Sequence, residues 1–372
     1  MKRALLRRWA AVTAVVALLC LIPVLVSALP VSVPRLTAGQ LRGSILASER
    51  LSYAGYAESN ATFGLPLLPG LSDVTSLLDG VTKMRVWQAS PDRWRVDVLS
   101  DTGERDTYQL GPQSYIWDSG EELLTEVIGQ PSLRLPRAAD LAPPALAVRL
   151  LDEAGQHARF SVIAPLRVAG KSAAGLQMTP TDPASTIARI DIWAEPGNGL
   201  PLMVEIFGRH SSIPALESQF FSVGPWRPDA AVLTPRRGPG TGFTTTSARS
   251  LSGELNNLAT ANLPGRLAGR NRLPEPTAFD EVGVYGGGLS TFVVLGIRGS
   301  SDLVGEALSA GGVALDLPDG TAATATLISA PLVNAVIAQP AGSYFTYLIA
   351  GTISASVLEQ AAVTLTTQDS FP

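Results

Sequence analysis

Between Val81 and Val127 the chain is cut into short apolar-polar runs by turn signals about ten residues apart, and this spacing restricts the fold more than any other feature. Met84 and Val86 share one parity. After the break at Ser90-Pro91-Asp92, Trp94, Val96 and Val98 share one parity, while Arg93, Arg95 and Asp97 take the other. A period of two gives each strand one dry face and one wet face. Further breaks at Asp101-Thr102-Gly103, Gly111-Pro112 and Asp118-Ser119-Gly120 are places where Pro fixes φ, Gly tolerates positive φ, and Asp bonds its own backbone. The runs between them predict a β-meander, and so an antiparallel sheet that curls.

More strands are expected on either side. A first one spans Leu51 to Thr62, after a helix from Thr37 to Ser52 with Thr37 as N-cap and Leu41, Ile45 and Leu46 on one stripe. A helix from Pro143 to Glu153 starts on proline, which the first turn tolerates. Strands resume at Ala158–Ile163, Arg167–Gly170, Gly175–Thr179, Ile187–Ala194 and Leu200–Phe207. The Pro196-Gly197-Asn198-Gly199 turn makes a hairpin of the last two, and Phe220–Val223 closes the region. The stretch 236–276, rich in Gly, Pro, Thr, Asn and Arg, reads as a linker with one short helix near Leu251 to Leu258. Residues 277–372 form a smaller α+β domain, with strands at Ser290–Leu295, Thr324–Ile328 and Tyr344–Gly351 and helices at Asp302–Leu308 and Ser354–Leu365. The expected class is therefore α+β: a curved, mainly antiparallel sheet with covering helices over 31–235, then the small C-terminal domain.

Lys2, Arg3, Arg7 and Arg8 precede an apolar run from Trp9 to Leu29, about long enough to cross a hydrocarbon core. The basic flank places that end in the cytoplasm and residues from Val31 onward outside, as a single-pass cell-membrane protein. Val26-Ser27-Ala28 would serve as a cleavage site, so a signal-anchor over 1–30 and a cleaved signal both remain open. The only cysteine, Cys20, lies within this run, which excludes an internal disulfide and a cysteine-ligated metal site.

A net charge of -4 with 16% charged residues offers no basic footprint for nucleic acid. His157 and His210 stand alone, without a second histidine or carboxylate at ligand spacing, and read as surface or turn residues. Gly283, Gly286, Gly287 and Gly288 lack the strand, helix and downstream acid of a nucleotide site, and read as a turn or bulge. No nucleophile-base pair stands out, so an enzyme is not expected, and neither a cofactor nor a metal is implied. Phe63 to Leu71 carries Leu65, Leu67 and Leu68 between Pro66, Pro69 and Gly70. It is apolar yet unable to form a regular element, and is either a covering flap over a core or a lid over an apolar cavity.

Several segments together resemble a known family, the exported LolA-like proteins and their RseB (MucB)-like relatives, in the actinobacterial version. They are Tyr53-Ala54-Gly55-Tyr56 after a helix, Arg85-Val86-Trp87, Arg93-Trp94-Arg95-Val96-Asp97, Tyr115-Ile116-Trp117-Asp118, Val168-Ala169-Gly170-Lys171, Leu176 to Pro180, and Ile190-Asp191-Ile192-Trp193 leading to Gly199-Leu200-Pro201-Leu202. The tail around Tyr347-Leu348-Ile349-Ala350-Gly351 is similar to the C-terminal part of the regulators. The resemblance implies a half-barrel of about eleven strands around helices, enclosing a cavity for lipid acyl chains. It implies, as partners, lipid or lipoprotein acyl chains and an anti-sigma factor. A membrane tether and a second domain favour the envelope-stress regulator over the free lipoprotein carrier; a structural envelope protein without a ligand is the third reading. The expected cavity lining is Val86, Trp94, Val96, Val98, Ile190 and Ile192, with Leu65, Leu67 and Leu68 on the flap. Trp87 and Trp193 take the opposite parity, facing solvent or a partner.

Overall fold

The computed structural model describes Trp9, Val12 and residues 30–63, 77–101, 103–129, 136–209, 211–236, 238, 240–247, 263–274, 282–298, 303–318, 323–343 and 345–367. Apart from Trp9 and Val12, the apolar run to Leu29 lies outside the described residues. So do Leu65, Leu67 and Leu68, His210, and the short helix expected near Leu251 to Leu258. Among the described residues no helix is long and apolar enough to cross a membrane.

Thr37 caps α1 (Ala38–Ala47) as its sequence predicts. Its hydroxyl accepts from the Gln40 amide at 3.2 Å, and the Gln40 side chain accepts from the Thr37 amide at 2.9 Å. The chain then enters β1 (Tyr53–Thr62), followed by the meander β2 (Asp79–Ser90), β3 (Arg93–Leu99), β4 (Glu104–Leu110), β5 (Gln113–Asp118) and β6 (Leu123–Ile128). A helix opening on two prolines, α2 (Pro143–Ala154), leads to a second meander. Its strands are β7 (Ala158–Val168), β8 (Lys171–Pro180), β9 (Ile187–Ala194), β10 (Pro201–Gly208) and β11 (Leu216–Gly224). The two strands expected at 158–163 and 167–170 are one: β7 continues through a register shift between Ile163 and Leu166, at Pro165.

Both meanders belong to one 12-stranded sheet, because β1 pairs antiparallel with β2 on one side and with β11 on the other. The far edge is β12 (Gly242–Ser247), which pairs parallel with β6. The inner face carries α1 and α2. Leu41 and Ile45 from the first helix and Leu146, Ala147 and Leu151 from the second pack in one core with Met84, Val86, Leu176, Ile190, Ile192 and Val204. The β9–β10 turn fixes where α1 lies, since a Cβ at Gly199 (φ +75°) would meet the Ser44 carbonyl oxygen at 2.2 Å.

The short hairpin β13 (Arg266–Leu267) and β14 (Arg270–Asn271) precedes a six-stranded sheet. Its strands are β15 (Val282–Gly287), β16 (Ser290–Arg298), β17 (Val313–Ala314), β18 (Ala323–Ser329), β19 (Asn334–Pro340) and β20 (Phe345–Gly351), ordered β15-β16-β20-β19-β18-β17. Most of the glycine cluster lies within strand β15, with Gly288 in the turn after it. The final helix α4 (Ala355–Thr367), which follows α3 (Leu303–Ser309), buries Leu358, Ala361, Ala362 and Leu365 against Val294, Tyr347 and Ile349. The stretch 236–276 does more than link. It supplies β12 to the first sheet, and Leu263 and Leu267 to the second core.

The loop between β8 and β9 joins the two sheets through two main-chain hydrogen bonds and one from a side chain. The Thr186 amide donates to the Thr352 carbonyl at 3.1 Å, the Ser354 amide to the Ala184 carbonyl at 2.7 Å, and the Ser185 hydroxyl to the Leu289 carbonyl at 3.1 Å. Arg270 pairs with Asp182; burial opposes ionisation of that carboxyl, but the guanidinium and the Ala184 amide hold it below the usual range. At the β15–β16 turn Gly288 has φ +59°, and a Cβ there would come within 2.6 Å of the His157 Cβ. Gly288→Val should therefore separate the sheets locally, seen as faster tryptic cleavage at Arg270 than in the unaltered chain. Equal cleavage rates would show that the joint does not depend on this contact.

Candidate functional site

The meander places two parities of side chains on two faces, and the covers on those faces differ along the sheet. Over β1, β2 and β8 to β11 the inner face is filled by α1 and α2. Val86, Val96, Ile190 and Ile192 all lie in this packed core. Past β3 the helical cover thins among the described residues. The inner row crossing from Val96 runs to Thr107, Ile116 and Thr125, and these three are half-buried. The row from Trp94 runs to Gln109, Ser114 and Val127, also half-buried, as is Val98 in the row toward Arg105. Trp94 packs against the margin of the core, and the Arg137 guanidinium lies 5.4 Å from its ring centre. A short 3-10 turn at Ala138–Leu141 borders this end. The candidate site is this strip of the inner face, apolar at Trp94, Val98, Ile116 and Val127 and polar at Arg105, Thr107, Gln109, Ser114 and Thr125.

Six lining residues were expected from parity. Trp94 and Val98 lie on the strip, whereas Val86, Val96, Ile190 and Ile192 are core side chains beneath the helices. Parity cannot separate these cases, because it gives the face and not what covers it. Ile116 and Val127 were legible only as strand residues. The inner register that joins them to Trp94 and Val96 depends on turn lengths along the whole meander.

The opposite parity was expected to be wet; at Arg93 it is, but at Asp97, Asp106 and Tyr108 it is not. Asp97 is 1% exposed and Asp106 is 2% exposed, and they face each other across the β3–β4 ladder. Arg95 joins them: its Nε donates to Asp97 Oδ1 at 2.5 Å and its Nη2 to Asp106 Oδ2 at 2.8 Å. Glu104 is reached at 3.4 Å, and the Tyr108 hydroxyl donates to Asp106 at 3.1 Å. The cover is the chain leaving β11. The Arg95 Nη1 donates to the Val232 carbonyl at 3.3 Å, and Leu233 beside it is buried. Trp87, on this face, lies 5.1 Å from the Arg95 guanidinium, so it meets a cation rather than open solvent. Trp193 is likewise buried, its ring N–H donating to the Ala164 carbonyl at the bend in β7.

The oxygens offered by Asp97, Glu104 and Asp106 lie within 4.8 Å of one another, close enough to hold a cation, yet Arg95 already supplies positive charge among them. Burial pushes both aspartates up from the usual carboxylate range, Asp97 furthest, with each raised further by its acidic neighbours and opposed by Arg95. Asp97 Oδ2 and Asp106 Oδ1 have no hydrogen-bond partner among the described residues, and a proton held between the two carboxyls would ease their proximity.

On the outer face of the other half, Glu205 lies opposite Glu217 in one register and opposite Asp191 in the next. Burial, then Glu217 and Asp191, push its carboxyl up to about 7. A separate concavity of about 320 Å³ lies where the sheets meet, bordered by His157, Thr181, Asp182, Arg270 and Asn271.

No family model matches this chain, and no curated protein matches it. Among solved structures it is similar to the complex of MucA and MucB from Pseudomonas aeruginosa at 16% identity and a TM-score of 0.49, covering 87% of this chain and 96% of that one. MucB alone gives 15% identity and 0.43, over 88% and 96% of the two chains. A LolA superfamily protein from Nitrosomonas europaea gives 10% and 0.25, over 54% of this chain and 99% of that one. The structural neighbours are thus MucB-type and LolA-superfamily proteins, and overlaps this loose assign no role to any residue.

Two outcomes follow from the electrostatics. Arg95→Ala leaves two buried carboxyls without their cation and should cost about 3 kcal/mol in denaturant unfolding; a loss under about 0.5 kcal/mol, the scale of an ordinary surface change, would mean that the cluster is solvated. For Glu205 the folded value lies above the unfolded one. Its contribution is therefore complete below pH 4.5 and is lost as pH rises through about 7. Glu205→Gln should raise the melting temperature at pH 8 and leave it little changed at pH 4.5, whereas an equal shift at both pH values would rule out this carboxylate repulsion.

Proposed function

We propose that this chain is an exported binding protein of the LolA/RseB type, whose inner-face strip over β3 to β6 takes up an acyl chain of a lipid or lipoprotein. The observation that carries this is the strip itself, where among the described residues inward-facing Trp94, Val98, Ile116 and Val127 are half-buried and lie outside the helical cover that buries Val86, Ile190 and Ile192. An aromatic side chain at the border between packed core and strip suits an acyl chain, since burying each methylene contributes about 0.8 kcal/mol. The threonines and glutamine beside it would face the polar end of the ligand or water.

The reading includes a regulator in the cell envelope. The apolar run from Trp9 to Leu29 would hold the protein at the membrane with residues from Val31 onward outside. The second sheet, fixed to the first through the β8–β9 loop, would present a surface to a partner protein such as an anti-sigma factor. The resemblance stated from the sequence supports this choice over a free lipoprotein carrier, which a tether would hinder. Binding rather than catalysis is proposed because the charged cluster that the meander does assemble has its two aspartates buried on the face opposite the strip, with Arg95 bonded to the covering chain at Val232.

Residues 31–372 purified from cell envelopes should release an acyl lipid near one equivalent per chain in native mass spectrometry. An empty protein that also fails to take up added lipid would leave the strip as mere sheet margin and turn the search to protein partners. Trp94→Asp should abolish lipid uptake while leaving the fold intact at this half-exposed position; uptake equal to that of the unaltered chain would place the ligand elsewhere. Removing Trp9 to Leu29 should release the protein from membranes, and continued sedimentation with them would place the anchoring elsewhere.

A further inference from the structure

The outer face of β3 and β4 holds a charged cluster that the acyl-chain reading does not use. Asp97 and Asp106 are direct partners across the ladder, at 1% and 2% exposure. One oxygen of each accepts from Arg95, while Asp97 Oδ2 and Asp106 Oδ1 lack a hydrogen-bond partner among the described residues. A third acid, Glu104, offers an oxygen within 4.8 Å of theirs. Three ionised carboxylates against one guanidinium would leave an excess of negative charge out of water, which is costly.

The charged groups around the cluster do not supply the balance. Arg85 lies directly opposite Asp97 on β2 but is exposed, as is Lys83, which lies across Leu99 from Glu104. On the other side Asp106 faces Trp117 of β5, and the Tyr108 hydroxyl donates to Asp106. Further along this face Tyr115 donates to Glu126. Arg227, Asp229 and Arg236 of the covering segment are all exposed. What that segment sends inward is neutral: the Val232 carbonyl, bonded to Arg95 at 3.3 Å, and the buried Leu233 side chain. Burial, opposed by Arg95 and reinforced by the acidic neighbours, holds both aspartates above the usual carboxylate range.

We propose that the pair Asp97 and Asp106 holds one proton in the closed protein, and that losing this proton to solvent lifts residues 229–236 off β3 and β4. Arg95 links the two events. With one aspartate neutral, a single guanidinium balances the other and still directs Nη1 to the Val232 carbonyl. With both ionised, the excess charge is relieved by water, admitted from the side that the segment now covers. Glu104, at 33% exposure, borders the route by which the proton leaves. Because the folded values lie above the unfolded ones, the contribution is complete at low pH and is lost as pH rises through the folded values. The cluster lies on the face opposite the strip, so this latch stands or falls independently of acyl binding.

The test is thiol labelling of the full chain carrying Cys20→Ser, comparing Leu233→Cys with Ala231→Cys at an exposed neighbouring position. Dividing the first rate by the second removes the pH dependence of the thiol itself. Between about pH 6 and about pH 9 the ratio should rise at least about tenfold, the effect of one pH unit on an opening that releases one proton. Asp106→Asn puts an amide donor where the proton would sit, and the ratio should then stay low throughout. Asp97→Asn should act in the same way, so one folded variant suffices. At about pH 6 the infrared carbonyl band of protonated carboxyls should be weaker in either variant than in the unaltered chain. A ratio independent of pH in the unaltered chain, an equal rise in the asparagine variants, or an infrared band of the same size in them would overturn the proposal. Were both variants to lose their sheet, the ratio in the unaltered chain would decide alone.

Discussion

The architecture depends on β1 pairing on both sides. The β2–β6 and β7–β11 meanders are separated in the chain by α2, and without a strand between β2 and β11 each would be a short sheet with two raw edges. With β1 in place they form one continuous surface that must cover two large faces. The solution divides the work. Helices α1 and α2 fill the inner face over β1, β2 and β8 to β11, and the chain leaving β11 crosses the outer face over β3 and β4. Among the described residues, the inner face of β4 to β6 and the Trp94 and Val98 positions of β3 receive the least cover, so the strip is the remainder of this division.

Arg95 is the point at which the outer cover is fixed. A half-buried guanidinium between buried Asp97 and Asp106 is weak evidence for stability when compared with an apolar isostere, but removing one partner from such a cluster is costly. Its bond to the Val232 carbonyl ties the covering segment to one register on the sheet. The same arginine thus organises the ladder beneath it and the chain above it, which explains how Asp97 and Asp106 come to be buried on this face.

Much of the fold was legible in the sequence, and the failures have physical causes. The first meander, the Thr37 cap, the proline start of α2 and the β9–β10 hairpin follow from local rules and appear where those rules put them. The alternation Arg93, Arg95, Asp97 also predicts a strand correctly, but not that its charged face is closed, since the cover comes from residues more than a hundred positions later. Strand β12 went unread because Gly-Phe-Thr-Thr-Thr-Ser has no alternation and buries none of its residues. The glycine cluster hid β15, whose glycines serve close packing near His157 and Leu263 rather than a turn alone. For the site, parity put all six expected residues on one face, of which only Trp94 and Val98 lie on the strip and the other four in the core.

The central claim is that the strip beside Trp94 holds an acyl chain, and quenching of tryptophan fluorescence by a brominated fatty acid tests it most directly. Saturable quenching that falls sharply in Trp94→Phe is the predicted result. Quenching of the same size in that variant, or none in the unaltered chain, would contradict the account.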